Sequence, residues 1–519
     1  MTTEHDTASE TVNGTRGVSE DSVSGDVAVA LDARAVAPVP IERIDVELRP
    51  DSGRVIVRPF LPNEQILPDD GLLARVLALP ESEVAGILNA ARAKFEDRHM
   101  NLEAVLDSHF RYVTRSTTEC SELSKERQLL IGAYYTQEFS IETAALTNPS
   151  MVAHPDQTGL DPGAVRFILS LRSIGEGHLS SIEFRTGISD VTGAITVDPP
   201  SRYAVTGTHC PSVFDKASFC EKLVEMDAFD STTELVADLL ADPFELHELD
   251  AAIATVEGKR APCRLTEMAT KAMHWLATSN YRVTFEPESK LSERVIFPWS
   301  PIESHGLEDA RFVRFTGDDG SVTYYATYTA YDGFRVLPLM MATLDFVTFD
   351  VSTLSGACAM NKGAALFPRR IGGKYAALSR YDGESNYVMR SDNVRIWDSA
   401  DRIESPELPW DLARAGNCGS PLETEAGWLI ITHGVGPFRV YSLGAILLDI
   451  DDPTRIIGRL NEPLLTVTDT EREGYVPNVV YSCGSMIHGD YLLLPHGVTD
   501  TTSRIARVPV KPLLARLVG

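Results

Sequence analysis

WSPIESHGLEDARFVRFTGDDGSVTYYATYTAYDG, residues 299–333, is the stretch on which the reading of this chain turns. It packs Glu303, His305, Glu308, Asp309 and Arg311 around Gly306, immediately before an apolar, aromatic run that alternates like the two strands of a hairpin. A strand entry that needed only a turn would use Gly, Asn or Pro. Two adjacent carboxylates beside an arginine instead form a cluster whose charges must be satisfied or used. The stretch predicts a β architecture with its chemistry at a strand end.

Working outward, a turn glycine followed by an apolar strand recurs. Gly163 leads into AVRFILSLRSIGEGH, Gly320 into SVTYYATYTAYDG, Gly373 into KYAALSRYDG, Gly427 into WLIITHGVG and Gly489 into DYLLLPHGVTD. The last four glycines are 53, 54 and 62 residues apart, near the length of propeller blades, while the first gap of 157 holds an insertion. Within it, residues 229–280 carry helical periodicity on both sides of Pro262. The fold expected is mainly β: a five-bladed β-propeller over 151–519 with a helical insertion at about 229–280, after the first blade. A β-sandwich would give short strands too, but not this period.

Ahead of the repeats, residues 1–40 are polar and without periodicity, which predicts a disordered leader. Residues 41–60 alternate about Asp51-Ser52-Gly53 and read as a β-hairpin, and 71–150 read as helical, together forming an N-terminal α/β subdomain over 41–150. Glu138 reads as a helix-surface carboxylate. Homo-oligomerisation is one way for these helices to bury their apolar faces; packing on the propeller is the other.

The formal charge of −27 over 519 residues disfavours nucleic acid and anionic membranes as partners. The seven cysteines are scattered without CxxC, so they read as reduced core thiols rather than disulfide or zinc ligands. The start of the chain lacks a basic and an apolar region of a signal peptide, and no apolar run approaches 18 residues, which makes the cytoplasm the default location.

Each repeat follows its apolar strand with polar residues at a comparable place: Glu176 and His178, Tyr331 and Asp332, Arg380 and Asp382, His433, and His496. Around one axis, equivalent strand ends meet in one pocket, which Asp309 and Arg311 join. The histidines lack HxxxH or HExxH spacing, so no metal is expected; GxSxG and nucleotide-binding motifs are missing, so neither a serine hydrolase nor a bound cofactor is indicated. Paired carboxylates beside Tyr, Trp and Arg are what glycosidic bond cleavage requires, an acid for the leaving oxygen and a base for water.

GLEDARF at 306–312 resembles the GxEDPR motif of glycoside hydrolase family 130, the β-mannoside phosphorylases and β-1,2-mannosidases, with Ala310 where that motif has Pro. Residues 361–380, HGVG at 433–436, 441–459 and 471–484 match recurrent segments of that family in order, covering about 299–500. The resemblance implies a five-bladed propeller and an inverting single displacement at β-mannosides. Asp309 would be the general acid, delivering its proton in some members through a sugar hydroxyl. The family divides on the nucleophile. Residues 135–150 and 172–187 look like the longer branch containing exo-β-1,2-mannosidases, where a glutamate is the base, and Glu176 is preferred to Glu183 for that role. Lys362, Arg380, His433 and Tyr441 match positions that phosphorylases use around phosphate. The resulting expectation is an inverting exo-β-mannosidase on β-1,2-linked oligosaccharides, with Asp309 and Glu176 catalytic. Glu308, Arg311, Tyr331, Asp332, Lys362, Arg380, Asp382, His433, Tyr441 and His496 would bind substrate. A mannoside phosphorylase releasing mannose 1-phosphate is the alternative, and a propeller that binds glycans or proteins without catalysis is the third.

Overall fold

The computed structural model describes residues 39–61, 70–115, 122–259, 263–334 and 336–518. The leader expected over 1–40 lies outside these up to residue 38, as do Pro262 and Cys120.

Five sheets share one antiparallel plan of three principal strands each, with short strands Leu422–Thr424 in the fourth and Met486–His488 in the fifth also paired to the central strand. The first is β1 (Ala145–Ala153), β2 (Val165–Ile174) and β3 (Ser180–Ser189); the second β4 (Leu307–Thr316), β5 (Val322–Tyr331) and β6 (Val336–Thr343). The third is β7 (Ala365–Leu366), β8 (Tyr375–Ser379) and β9 (Asn386–Ser391). The fourth is β10 (Arg414–Asn417), β11 (Gly427–Val435) and β12 (Tyr441–Leu448), and the fifth β13 (Val480–Tyr481), β14 (Tyr491–Val498) and β15 (Thr502–Pro509). Further strands extend every sheet outward.

Alternation in sequence explains why these sheets stack. Along β11, Trp428 and Ile430 join an apolar cluster with β8 and β9, while Leu429 and Ile431 join one with β13 and β14. A strand buried on both faces reads as a continuous apolar run, and WLII is one. Similar clusters fill the spaces between the first and second sheets (Phe184, Phe312, Phe349), the second and third (Phe315, Met340, Met389) and the fifth and first (Met151, Phe167, Leu493). Each buried Phe or Leu side chain contributes about 2 kcal/mol.

Neighbouring sheets are also tied by hydrogen bonds. Phe312 N of β4 donates to Ser150 Oγ of β1 (3.1 Å), and Thr316 N donates to Pro368 O after β7 (2.8 Å). Asn417 Nδ2 of β10 donates to Gly363 O (2.8 Å), Tyr441 N to Asn478 O before β13 (3.0 Å), and Met151 N of β1 to Gly484 O after β13 (3.2 Å). The last of these brings the fifth sheet back to the first.

Three local expectations are corrected. The hairpin at 41–60 does not form. Glu42–Leu48 pairs with β15, where Glu42 accepts from Arg507 and Glu47 from Arg504, each at 3.1 Å, whereas Val55–Pro59 pairs with Thr136–Ser140. The two strands part at Arg54, which turns inward to Glu183 (2.8 Å) and Glu142 (2.7 Å). Helices stop at Tyr134 instead of continuing to 150, because the Thr- and Val-containing segments that follow are sheet edges. Glu138 therefore sits on a strand, where it accepts from Arg98 and His99 at 2.7 Å. Of the six described cysteines, Cys358, Cys418 and Cys483 are buried, Cys220 is half-buried, and Cys210 and Cys263 are exposed. The helical stretch expected at 229–280 contains Ser231–Leu239, Leu246–Lys259 and Arg264–Thr278, preceded by Lys216–Glu225. Among the described residues no helix is long and apolar enough to cross a membrane.

Candidate active site

In every sheet the second and third strands join at the same end, after Ile174, Tyr331, Ser379, Val435 and Val498. Glu176, Asp332, Arg380 and Asp382 lie in these connections, as the repeat register predicts, and His433 and His496 lie just before two of them.

At this end β4 breaks its regular pairing. Between Glu308 and Arg311 the register with β5 shifts, and Asp309 adopts a left-handed φ of 57°. Such a bulge suspends the alternation that would send Glu308 and Asp309 to opposite faces. β1 repeats the device between Thr147 and Ser150, with Asn148 at φ 50°.

Around the bulge, basic side chains gather. Glu308 accepts from Arg172 Nη2 (2.8 Å) and Lys362 Nζ; burial pushes its pKa up, but the two cations outweigh this and hold it below the usual value. Arg311, 2% exposed, donates through Nη1 to Asn417 Oδ1 (2.6 Å) and through Nη2 to the Tyr481 hydroxyl (2.7 Å). Arg380 Nη1 donates to His433 Nε2 (2.9 Å). Because guanidinium has no acceptor, the imidazole hydrogen belongs on Nδ1, which faces Cys418 Sγ at 3.7 Å. Burial, then Arg380 and Arg311, drive the His433 pKa well below its ordinary value, so the ring is neutral. Asp309 lies within electrostatic reach of Arg311, Arg380, Tyr481 and Asp500.

Asp500 was not expected. It occupies the β14–β15 connection, where Thr499 and Asp500 have φ of 51° and 48°. Burial raises its pKa to about 6, with Asp309 and Glu308 pushing the same way and Arg172 and Arg439 opposing. A signal was present: HGVTD follows β14 as HGVG follows β11, so the tip of the fifth repeat could have been aligned on Asp500 rather than on His496. Arg172 and Arg439, also missed, carry no motif of their own.

Several expected residues have partners other than this cluster. Glu176 is exposed, and the charged neighbour with which it interacts is Arg58, which lies over the rings of Phe139 and Phe297. His496 is buried beside Leu494 O (3.1 Å), its pKa lowered to about 4 by burial, and its charged neighbours are Glu471, Arg43 and Arg504. Asp382 uses Oδ1 on the backbone N–H groups of Glu384 and Ser385 (2.9 Å each) and Oδ2 on the Tyr387 hydroxyl (3.0 Å), shaping its own turn. Asp332 likewise accepts from Phe334 N (2.9 Å), and the Tyr331 hydroxyl donates to Gly333 O (2.8 Å). Tyr441 does reach the cluster, its ring stacked on His433 at 6.0 Å. Glu183, the rejected base, is wholly buried against Arg54 and Arg185.

A cavity of about 400 Å³ lies at the opposite ends of the inner strands, with Met151, Phe312, Pro368, Leu422 and Met486 on its wall. Its one carboxylate, Glu423, is tied to Arg369 at 2.7 and 2.9 Å.

The sequence profile of a family described as beta-1,4-mannooligosaccharide phosphorylase matches residues 276–517. The 1,2-beta-oligomannan phosphorylase of Thermoanaerobacter sp. (strain X514) is 36% identical over 220 residues, 41% of this chain and 71% of that protein. The chain belongs to glycoside hydrolase family 130. The Beta-1,2-mannobiose phosphorylase of Listeria innocua serovar 6a is 32% identical over 43% of this chain and 63% of its own length, so the chain spans under two thirds of that relative. A solved structure of Beta-1,2-Mannobiose phosphorylase from Listeria innocua with β-1,2-mannobiose covers 73% of this chain and 93% of its own at 21% identity and a TM-score of 0.44. The family-130 match takes in Asp309, Lys362, Arg380, His433, Tyr441 and Asp500, whereas Arg172 and Glu176 precede it.

Proposed function

We propose that this protein is an inverting β-mannoside phosphorylase, preferring β-1,2-linked substrates, in which Asp309 protonates the leaving oxygen. The five sheets are read as blades of a propeller, with 41–150 and the helices about 229–280 as additions to it. One observation carries the reading of the nucleophile. Arg172, Arg311 and Arg380 each keep a buried Nε–H with no hydrogen-bond partner, while Arg172 bonds through Nη2, Arg311 through Nη1 and Nη2, and Arg380 through Nη1. A buried donor left unmade costs about 1–3 kcal/mol, more for a charged group. The gathering of Arg172, Arg311, Arg380 and Lys362 about Asp309 favours an anion there, and guanidinium forks fit phosphate oxygens.

In this scheme a phosphate oxygen attacks the anomeric carbon from the face opposite the leaving group. The C–O glycosidic bond breaks, the Asp309 proton passes to the departing oxygen, and mannose 1-phosphate forms with inverted configuration. The relatives named above are phosphorylases, which supports the same nucleophile.

Hydrolysis, the first expectation from sequence, becomes the second reading, because Glu176 is exposed and the charged neighbour with which it interacts is Arg58. It keeps one specific support: Asp500, a half-buried carboxylate near Asp309 with a pKa of about 6, has the basicity to activate water. The reverse reaction tests the proposal. Incubated with α-mannose 1-phosphate and mannose, the enzyme should release inorganic phosphate in step with disaccharide. No phosphate release from an enzyme that cleaves β-1,2-mannobiose in phosphate-free buffer would refute it.

A further inference from the structure

Asn417 closes β10 and carries no motif, yet its side chain joins three sheets. It is 1% exposed. Oδ1 accepts from Arg311 Nη1 of β4 (2.6 Å) and from Gly419 N (3.3 Å), while Nδ2 donates to Gly363 O, just before β7 (2.8 Å). The orientation of the amide is forced. A guanidinium only donates and a carbonyl only accepts, so oxygen must face Arg311 and nitrogen must face Gly363. Aspartate would lack the donor, glutamine would add a methylene to a closed space, and serine would be too short to span both partners.

What the amide holds on its third-sheet side is the root of Lys362. That residue stands between two others with left-handed φ, Asn361 at 63° and Gly363 at 94°. Its backbone is pinned on one side by Asn361 Nδ2 donating to Tyr381 O (2.9 Å) and on the other by the bond from Asn417 to Gly363 O. A lysine side chain carries about 2 kcal/mol of rotamer entropy and does not aim itself, so the place of its ammonium follows from the backbone beneath it. That ammonium reaches Glu308, and Arg311 lies within electrostatic reach of Asp309. We infer that Asn417 is a positioning residue for the phosphorolysis proposed above, setting the separation of the Arg311 guanidinium and the Lys362 ammonium about the two carboxylates of the β4 bulge. In this role it acts through those two cations. The inference rests on the reading of the basic cluster as the place where phosphate binds.

The test measures phosphorolysis of β-1,2-mannobiose by wild type, Asn417→Ala, Lys362→Ala and the double variant. Each single change should raise the KM for phosphate about 10-fold and leave that for mannobiose within about threefold; the double variant should stay near 10-fold, where independent residues would give about 100-fold. Asn417→Ser, which leaves a hydroxyl in the same space, repeats the cycle if Asn417→Ala does not fold. An additive double variant, or a phosphate KM unmoved in a folded Asn417 variant, overturns the positioning role alone. A wild type with no phosphate-dependent cleavage overturns the phosphorylase reading, and the positioning role with it.

Discussion

Asp309 combines a left-handed backbone with a bulge, and its neighbours divide the work of charge. Glu308 takes up Arg172 and Lys362, which leaves Asp309 facing Arg311, Arg380 and Asp500. If Asp309 is the acid, Asp309→Asn should lower kcat about 10³-fold with an unchanged melting temperature, since the amide keeps the shape and loses the proton. Activity within tenfold of wild type would contradict the assignment. Arg380 is argued to hold phosphate, so Arg380→Ala should raise the KM for phosphate about 10- to 100-fold and affect that for mannoside less. Asp500 gives a pH prediction. Its folded pKa of about 6 exceeds the value of 3.8 expected unfolded, so its neutral form adds stability that is complete below pH 3.8 and lost as pH rises through 6. Asp500→Asn should therefore gain in melting temperature over wild type between pH 4 and pH 6.5, then hold a constant lead; a gap independent of pH would show that Asp500 ionises normally.

At the scale of elements, period and turn glycines made the second strand of every sheet readable, because a strand buried on both faces must be apolar throughout and end in a turn. WLII, YLLL and YAAL were of this kind. Partners were not readable. Glu42–Leu48 and Val55–Pro59 alternate like a hairpin and are separated by a good turn, yet each pairs elsewhere, because long-range edges and the buried contacts of Arg54 with Glu183 and Glu142 outweigh a local preference. Glu176 lies in the connection that the repeat register gave it, but register does not choose its neighbour, which is Arg58. Arg54 allows a test. It serves two buried glutamates, and removing one partner of such a cluster leaves unpaired charge, at a cost of about 3–5 kcal/mol. Arg54→Ala should lose stability on that scale in urea unfolding, whereas Glu142→Gln should lose far less, because burial and Glu183 raise the Glu142 pKa to about 8 and it is already protonated at neutral pH. Equal losses in the two variants would mean that Glu142 is ionised.

For the whole molecule, five sheets tied in succession, with the last returning to the first, bring residues from positions 172 to 500 to one end of the inner strands. A net charge of −27 makes the basic lining there the exception, and unpartnered guanidinium donors are its sharpest feature. The most direct measurement of the central claim, that this end holds an anion which serves as nucleophile, is to incubate the purified protein with β-1,2-mannobiose with and without inorganic phosphate and to identify the sugar released. Mannose 1-phosphate formed only when phosphate is present is the predicted result; free mannose appearing at the same rate in both mixtures, with no sugar phosphate, would contradict it.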